Sequence, residues 1–178
     1  MSFDDAPRSE CAFGIRVERV SPALPAVRRL IAQSDAYMAA LYPAESNHLE
    51  SVSALQQPHV AFFGAFAGHQ LAGCGAAKIL DDDGVYGEIK RLFVDDAHRG
   101  RGISLAIMAR IERHLAEAGI GIARLETGIH QPEAIALYRR LGYRERAPFG
   151  SYRPDPLSLF MEKRLDVSSP PSAAVDRR

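Results

Sequence analysis

The chain has 178 residues, 47% hydrophobic and 25% charged, and its 22 basic and 22 acidic side chains cancel to a formal net charge of zero. That length and composition suit one soluble globular domain with a substantial core. A neutral chain has no overall field with which to recruit nucleic acid or an anionic membrane, so neither is an expected partner and any anion must be bound locally. The start, MSFDDAPRSE, is acidic and polar, unlike a signal peptide, and no run reaches the length of a membrane span, so a cytoplasmic location is expected. Two cysteines, Cys11 and Cys74, and six histidines show no metal-ligand or disulfide-framework spacing. No metal is expected, and Cys74 reads as a small core residue.

In chain order, residues 1–11 read as a flexible leader, 12–165 as a single domain and 166–178, rich in Ser and Pro, as a disordered tail. Residues 13–20 alternate like a strand, and 22–41 carries Val27, Leu30, Ile31, Met38 and Leu41 at helical spacing. Beyond Pro43, residues 45–55 form a second short helix candidate. Runs 59–66 and 70–80 predict a hairpin about Gly68-His69, and a third strand, 85–94, follows the Asp81–Gly84 turn. In 103–119, Ile103, Ile107, Ile111 and Leu115 recur every four residues, an apolar face that must pack on a sheet, with Gly119 placed as a C-cap. Residues 122–128 then supply a strand parallel to 85–94, completing a right-handed β-α-β unit. Pro132 opens a helix that ends near Gly142, and strands at 142–146 and 157–163 close the chain; between them 149–155 reads as either an aromatic, polar lid or a tight surface loop, the loop preferred. Periodicity alone specifies an α/β fold.

Arg99-Gly100-Arg101-Gly102-Ile103-Ser104 lies between a strand and an amphipathic helix. Backbone N–H groups gather at such a helix N-terminus and the helix dipole favours negative charge there, so the loop reads as a phosphate cradle. No Lys-Ser or Lys-Thr follows the glycines, against a nucleotide-triphosphate loop, and Leu105 stands where a dinucleotide fingerprint needs its third glycine.

The remaining pattern, R-x-x-G-x-[GA] after a strand, resembles the pyrophosphate-binding motif of the GCN5-related N-acetyltransferase (GNAT) superfamily, with Ser104 in place of the last Gly or Ala. Downstream, Gln131, Ala134, Leu137, Tyr138, Gly142 and Tyr143 resemble that superfamily's N-x-x-A-x-x-L-Y-x-x-x-G-[FY] segment, with Gln for Asn. The resemblance implies the GNAT fold: a mixed central sheet splayed between two parallel strands, with helices on both faces. It also implies acetyl-CoA as co-substrate, with Arg99, Gly100, Arg101, Gly102, Ile103 and Ser104 around the pyrophosphate. Leu92, Phe93 and Val94 would lie along the pantetheine, and Gln131 beside it. A homodimer is among the assemblies it allows.

Acyl transfer from a thioester to an amine needs a deprotonated amine, a polarised carbonyl and an acid for the departing thiolate. Tyr138 matches the family's tyrosine acid; the alternative is a plain apolar-face residue. Glu88 stands where several family members carry a general base; the alternative is an ion pair with Lys90 on a solvated strand face. Glu45, Asn47 and His48, in the break between two helices, and Glu126 and Thr127, at a strand end, are candidate acceptor contacts, against caps and strand-end structure. The expected activity is acetyl transfer to a primary amine of a small molecule, such as an amino acid or a derivative, by direct attack in a ternary complex. Acetylation of a protein or peptide, and a non-catalytic acyl-CoA-binding module, are the alternatives.

Overall fold

The computed structural model describes residues 14–167; the expected leader and all but two residues of the expected tail lie outside that range. Seven strands form one mixed sheet in the order β1-β2-β3-β4-β5-β7-β6. They are β1 (Ile15–Arg19), β2 (Val60–Ala67), β3 (Gln70–Leu80), β4 (Tyr86–Val94), β5 (Ile122–Gly128), β6 (Arg144–Arg146) and β7 (Ser158–Arg164). Four helices connect them: α1 (Pro25–Leu41), α2 (Val52–Leu55), α3 (Ile103–Glu117) and α4 (Pro132–Arg140). Among the described residues no helix is long and apolar enough to cross a membrane.

The four-residue repeat of α3 does what its spacing requires. Ile103, Ile107, Met108, Ile111 and Leu115 are all buried against one sheet face, with Phe63, Leu125 and Met161, and Tyr138 of α4 joins the same cluster. Each such aliphatic side chain contributes about 1.5–3 kcal/mol of burial. On the opposite face Val27, Leu30 and Ile31 of α1 pack with Leu55, Phe62, Cys74 and Phe93. The sheet therefore has helices on both faces, as the GNAT resemblance implies.

Only β4 and β5 run parallel, and they pair over three positions alone: Gly87 with Ala123, Glu88 with Arg124 and Ile89 with Leu125. Beyond Ile89 the strands part. β5 stays paired with β7 along its whole length, from Ile122 to Gly128. β4 instead carries a bulge, because Cys74 faces Phe93 while Ala76 faces Lys90, leaving Gly75 opposite both Arg91 and Leu92. A bulge bends its strand and increases the local twist. Arg91 takes the left-handed conformation there (φ 58°), rare for a residue with a Cβ. Its guanidinium is buried and fixes the bend, donating to Asp35 of α1 and to the Glu50 carbonyl.

Two local expectations change. The 45–55 helix is not formed: a single 3-10 turn covers Ala44–Ser46, the chain runs extended to Ser51, and only Val52–Leu55 is helical, capped by Ser51 Oγ accepting from Ala54 N at 3.1 Å. The extended stretch turns its His48 and Glu50 carbonyls to Lys90 and Arg91 of β4, and those tertiary bonds outweigh a weak helical period. Segment 149–155 is not a surface loop throughout. Phe149 is buried, with ring centroids 5.4 Å from Tyr86 and 5.9 Å from Phe160, an aromatic cluster that joins β4 to the C-terminal part of the chain.

Tyr42, just past α1, packs against the end of β5. Its ring stacks on His130 (5.5 Å), and its hydroxyl accepts from the His130 N–H at 2.9 Å. The ring occupies the space beside Gly128, so that a Cβ on Gly128 would overlap the tyrosine. Gly128→Ala is therefore expected to destabilise the fold by about 2–3 kcal/mol through overpacking; a urea midpoint equal to that of the unaltered chain would contradict this seat.

Candidate active site

The loop between β4 and α3 has the geometry of an anion cradle. Gly100 (φ 74°) and Gly102 (φ 77°) both take the left-handed conformation, and Gly102 is the N-cap of α3 with no side-chain hydrogen bond to the helix. The first turn of α3 thus keeps its N–H groups free of a side-chain cap. Nothing lies within 4 Å of where a Cβ would stand at either glycine, so the loop is open on that side. This openness fits a pyrophosphate, which needs bare backbone donors and room for close approach. Arg101 and Gly102 are exposed, Ile103 is buried as an anchor of the helix, and Ser104 is half-buried. Arg99 is more committed than expected: it donates to the Val94 carbonyl at 3.2 Å, pairs with Asp96 at 2.8 Å and lies over Tyr37 and Phe93.

The gap between β4 and β5 passes through the sheet. Ser34 and Met38 of α1 border it from one face, and Ala134 and Tyr138 of α4 from the other. Lys90, Leu92, Glu126, Thr127 and Gln131 line the gap itself, a cavity of about 110 Å³. Gln131 is the N-cap position of α4, and its Oε1 accepts from Gly128 N at 3.4 Å. Tyr138 is 6% exposed, with no hydrogen-bond partner for its hydroxyl among the described residues. Burial raises its proton affinity above that of an ordinary phenol, and the nearby Glu126 adds to the effect.

On the α1 face the gap opens into a larger cavity of about 780 Å³, shared through His48, Leu49 and Lys90. Its floor is a buried polar network. Glu88, 4% exposed, accepts from Tyr152 Oη at 2.6 Å and pairs with Lys90 Nζ at 3.3 Å, while Lys90 also donates to Tyr152 Oη at 2.7 Å and to the His48 carbonyl at 3.3 Å. The Glu88–Lys90 ion pair anticipated as an alternative is present, but it lies inside the cavity and not on a solvated face. The His48 ring meets Tyr152 edge-on at 5.0 Å. Glu126 is deeper in the gap; its Oε1 accepts from Ser158 Oγ at 2.7 Å, and burial raises its proton affinity.

Of the candidate acceptor contacts, Glu45 and His48 line the large cavity and Glu126 and Thr127 the gap, whereas Asn47 turns its amide to the Tyr42 carbonyl at 3.5 Å. Sequence reasoning missed Lys90 as a site residue and the anchoring role of Arg91, and preferred a surface loop for the segment from which Tyr152 reaches Glu88 and Lys90. Alternation along β4 put Lys90 on the Glu88 face and could have flagged it. Nothing local reveals that Tyr152 reaches the same point from 64 residues away.

The chain matches the model of the acetyltransferase (GNAT) family over residues 27–143. It is 47% identical over 151 residues to an IAA acetyltransferase of Azospirillum brasilense, covering 85% of this chain and 98% of that protein. It is 35% identical over 131 residues to the uncharacterized N-acetyltransferase YsnE of Bacillus subtilis, covering 72% and 85%. Among solved structures, a Klebsiella pneumoniae protein assigned as an acyl-CoA N-acyltransferase superposes with a TM-score of 0.72 at 34% identity, over 85% of this chain and 98% of that one. The PaiA N-acetyltransferase of Thermoplasma acidophilum, solved in complex with coenzyme A, shares the fold at 20% identity and a TM-score of 0.66, over 85% and 99%. A splayed sheet, a glycine cradle and these similarities place the chain in the GNAT family, and it is an N-acetyltransferase. Enzymes of this family use acetyl-CoA as co-substrate.

The cradle makes a specific expectation. Gly102→Val adds a β-branched side chain at a left-handed position on the open side of the loop, where the conformational cost is about 1–2 kcal/mol. The KM for acetyl-CoA is expected to rise at least about tenfold, the equivalent of 1.4 kcal/mol of lost binding, while the acceptor KM is unchanged. An unaltered acetyl-CoA KM in steady-state kinetics would contradict the assignment.

Proposed function

We propose that the enzyme transfers the acetyl group of acetyl-CoA to a primary amine of a small molecule by direct attack within a ternary complex. The observation that carries this reading is the two-sided cleft. The gap is bordered by Tyr138 and Ala134 of α4 on one side, and on the α1 side it shares His48, Leu49 and Lys90 with the polar cavity of about 780 Å³, the two meeting where β4 and β5 part. Donor and acceptor enter from opposite sides and meet without an acyl-enzyme step. Holding both in place supplies the proximity that a bimolecular reaction in water lacks.

In this reading Arg99, Gly100, Arg101, Gly102, Ile103 and Ser104 surround the pyrophosphate. The free edge of β4 at Leu92, Phe93 and Val94 lies along the pantetheine, with Gln131 opposite. The bulge at Arg91 turns the β4 backbone toward the gap, where an N–H can polarise the thioester carbonyl. Tyr138 stands on the far wall. Because burial keeps its hydroxyl protonated well beyond neutral pH, it can give its proton to the departing thiolate.

The 780 Å³ cavity favours a small-molecule acceptor over an extended peptide, because the 47–51 segment lies across β4, held by the His48 and Glu50 carbonyls. Carboxylates at Glu88 and Glu126 draw the ammonium inward, and His48, Glu45 and Thr127 shape its approach. Arg153, at the mouth, is a cation suited to an acceptor that also carries a carboxylate, such as an amino acid or a derivative.

The test is thiol release from acetyl-CoA against a panel of amino acids, polyamines and lysine peptides, with Tyr138→Phe as comparison. Loss of the acid is expected to lower kcat by about 100-fold or more with little change in the KM for acetyl-CoA. An unchanged kcat would remove Tyr138 from the mechanism.

A further inference from the structure

Two buried carboxylates face the route of the ammonium, and the chemistry needs one proton acceptor. Glu88 already holds a hydrogen bond and an ion pair: Tyr152 Oη donates to its Oε1 and Lys90 Nζ pairs with the same oxygen. Both occupy that oxygen, and Lys90 also donates to Tyr152 Oη, so the carboxylate is tied into the cavity floor. Glu126 differs in each respect. Its Oε1 holds one neutral donor, Ser158 Oγ, and its other oxygen has no donor among the described residues. It lines the narrow gap together with Tyr138, whereas Glu88 lines only the outer cavity.

From this geometry we propose that Glu126 is the general base that deprotonates the acceptor ammonium, and that Glu88, with Lys90 and Tyr152, is a positioning group. The proposal rests on the acetyltransferase reading above and departs from the expectation that Glu88 is the base. The bookkeeping is as follows. Glu126 takes one proton from the ammonium and later releases it to solvent. The neutral amine forms a nitrogen–carbon bond to the acetyl carbonyl carbon as the carbon–sulfur bond breaks. Tyr138 gives its proton to the sulfur, and the second proton lost by nitrogen returns to the Tyr138 oxygen.

Groups from every neighbouring element act on Glu126: Tyr42 after α1, His48 from the extended segment, Glu88 and Lys90 from β4, Tyr138 from α4, Tyr152 from the 149–155 segment and Ser158 from β7. Burial dominates and raises its proton affinity; Glu88 adds to that, while Ser158, His48 and Lys90 oppose it. A base works in its ionised form. Activity is therefore lost as pH falls through a midpoint above 4.5, the ordinary glutamate value.

The experiment is the pH dependence of kcat/KM for wild type, Glu126→Gln, Glu126→Asp and Glu88→Gln with one amine that the wild type acetylates, alongside the binding constant for CoA and the thermal midpoint of each. Glu126→Gln keeps an oxygen for Ser158 and is expected to bind CoA normally, to lose about 100-fold or more in kcat and to lose the acidic limb. Glu126→Asp is expected to retain the limb at reduced rate. Glu88→Gln removes a like charge, so its limb is expected to persist and move to lower pH, with a raised acceptor KM. A limb that vanishes in Glu88→Gln, or a Glu126→Gln variant that keeps wild-type kcat and limb, overturns the proposal. A wild type that binds CoA yet acetylates no amine overturns the underlying reading instead, and with it the role of Glu126 as a base.

Discussion

The structure depends on the parting of β4 and β5 after Ile89 and Leu125. A continuous sheet would satisfy more backbone groups and leave nowhere for a substrate to pass. The gap persists because its two walls are held from opposite sides. β7 keeps β5 straight by pairing along its full length, and the bulge opposite Gly75 bends β4 away. Arg91 holds that bend through α1 and the 47–51 segment, so the element overhanging the outer cavity and the strand that forms its floor are tied to one guanidinium. A left-handed residue with a side chain persists only where surrounding contacts over-determine it.

The buried charges follow from the same opening. Removing Glu88 and Lys90 from water carries a desolvation cost that their attraction offsets only when the remaining hydrogen-bonding capacity is used. Tyr152 does this by donating to the carboxylate and accepting from the ammonium, while the His48 carbonyl takes a further lysine proton. A cavity floor held in this way is preorganised, with its dipoles set before any substrate arrives. Glu126, on β5 two residues beyond the partner of Glu88, has no such ion pair among the described residues, and the difference in partners separates two residues of identical chemistry into proposed positioning and proton-transfer roles.

The proposed anion end is built on a different principle. Two left-handed glycines and an uncapped helix start leave backbone donors bare, and the helix dipole adds to them. Because such a site uses backbone groups, it is tolerant of side-chain identity, and the half-buried Ser104 is compatible with it. Its geometry needs only short-range dihedral preferences, which a six-residue stretch between a strand and a helix can carry.

Several features encoded within about fifteen consecutive residues were legible in the sequence: the hairpin at Gly68-His69, the apolar repeat of α3, Pro132 opening α4 and the glycine turn before α3. These depend on local dihedral preferences and on periodicity, both properties of a short window. Tertiary structure alone decided what those windows meet. The 45–55 stretch lost its helix because β4 claimed its carbonyls, and Phe149 and Tyr152 left the surface because Tyr86, Phe160, Glu88 and Lys90 were waiting for them. Pairing between Glu88 and Tyr152, 64 residues apart, depends on where the sheet splays. That is fixed by strand register, a long-range property that no local pattern carries.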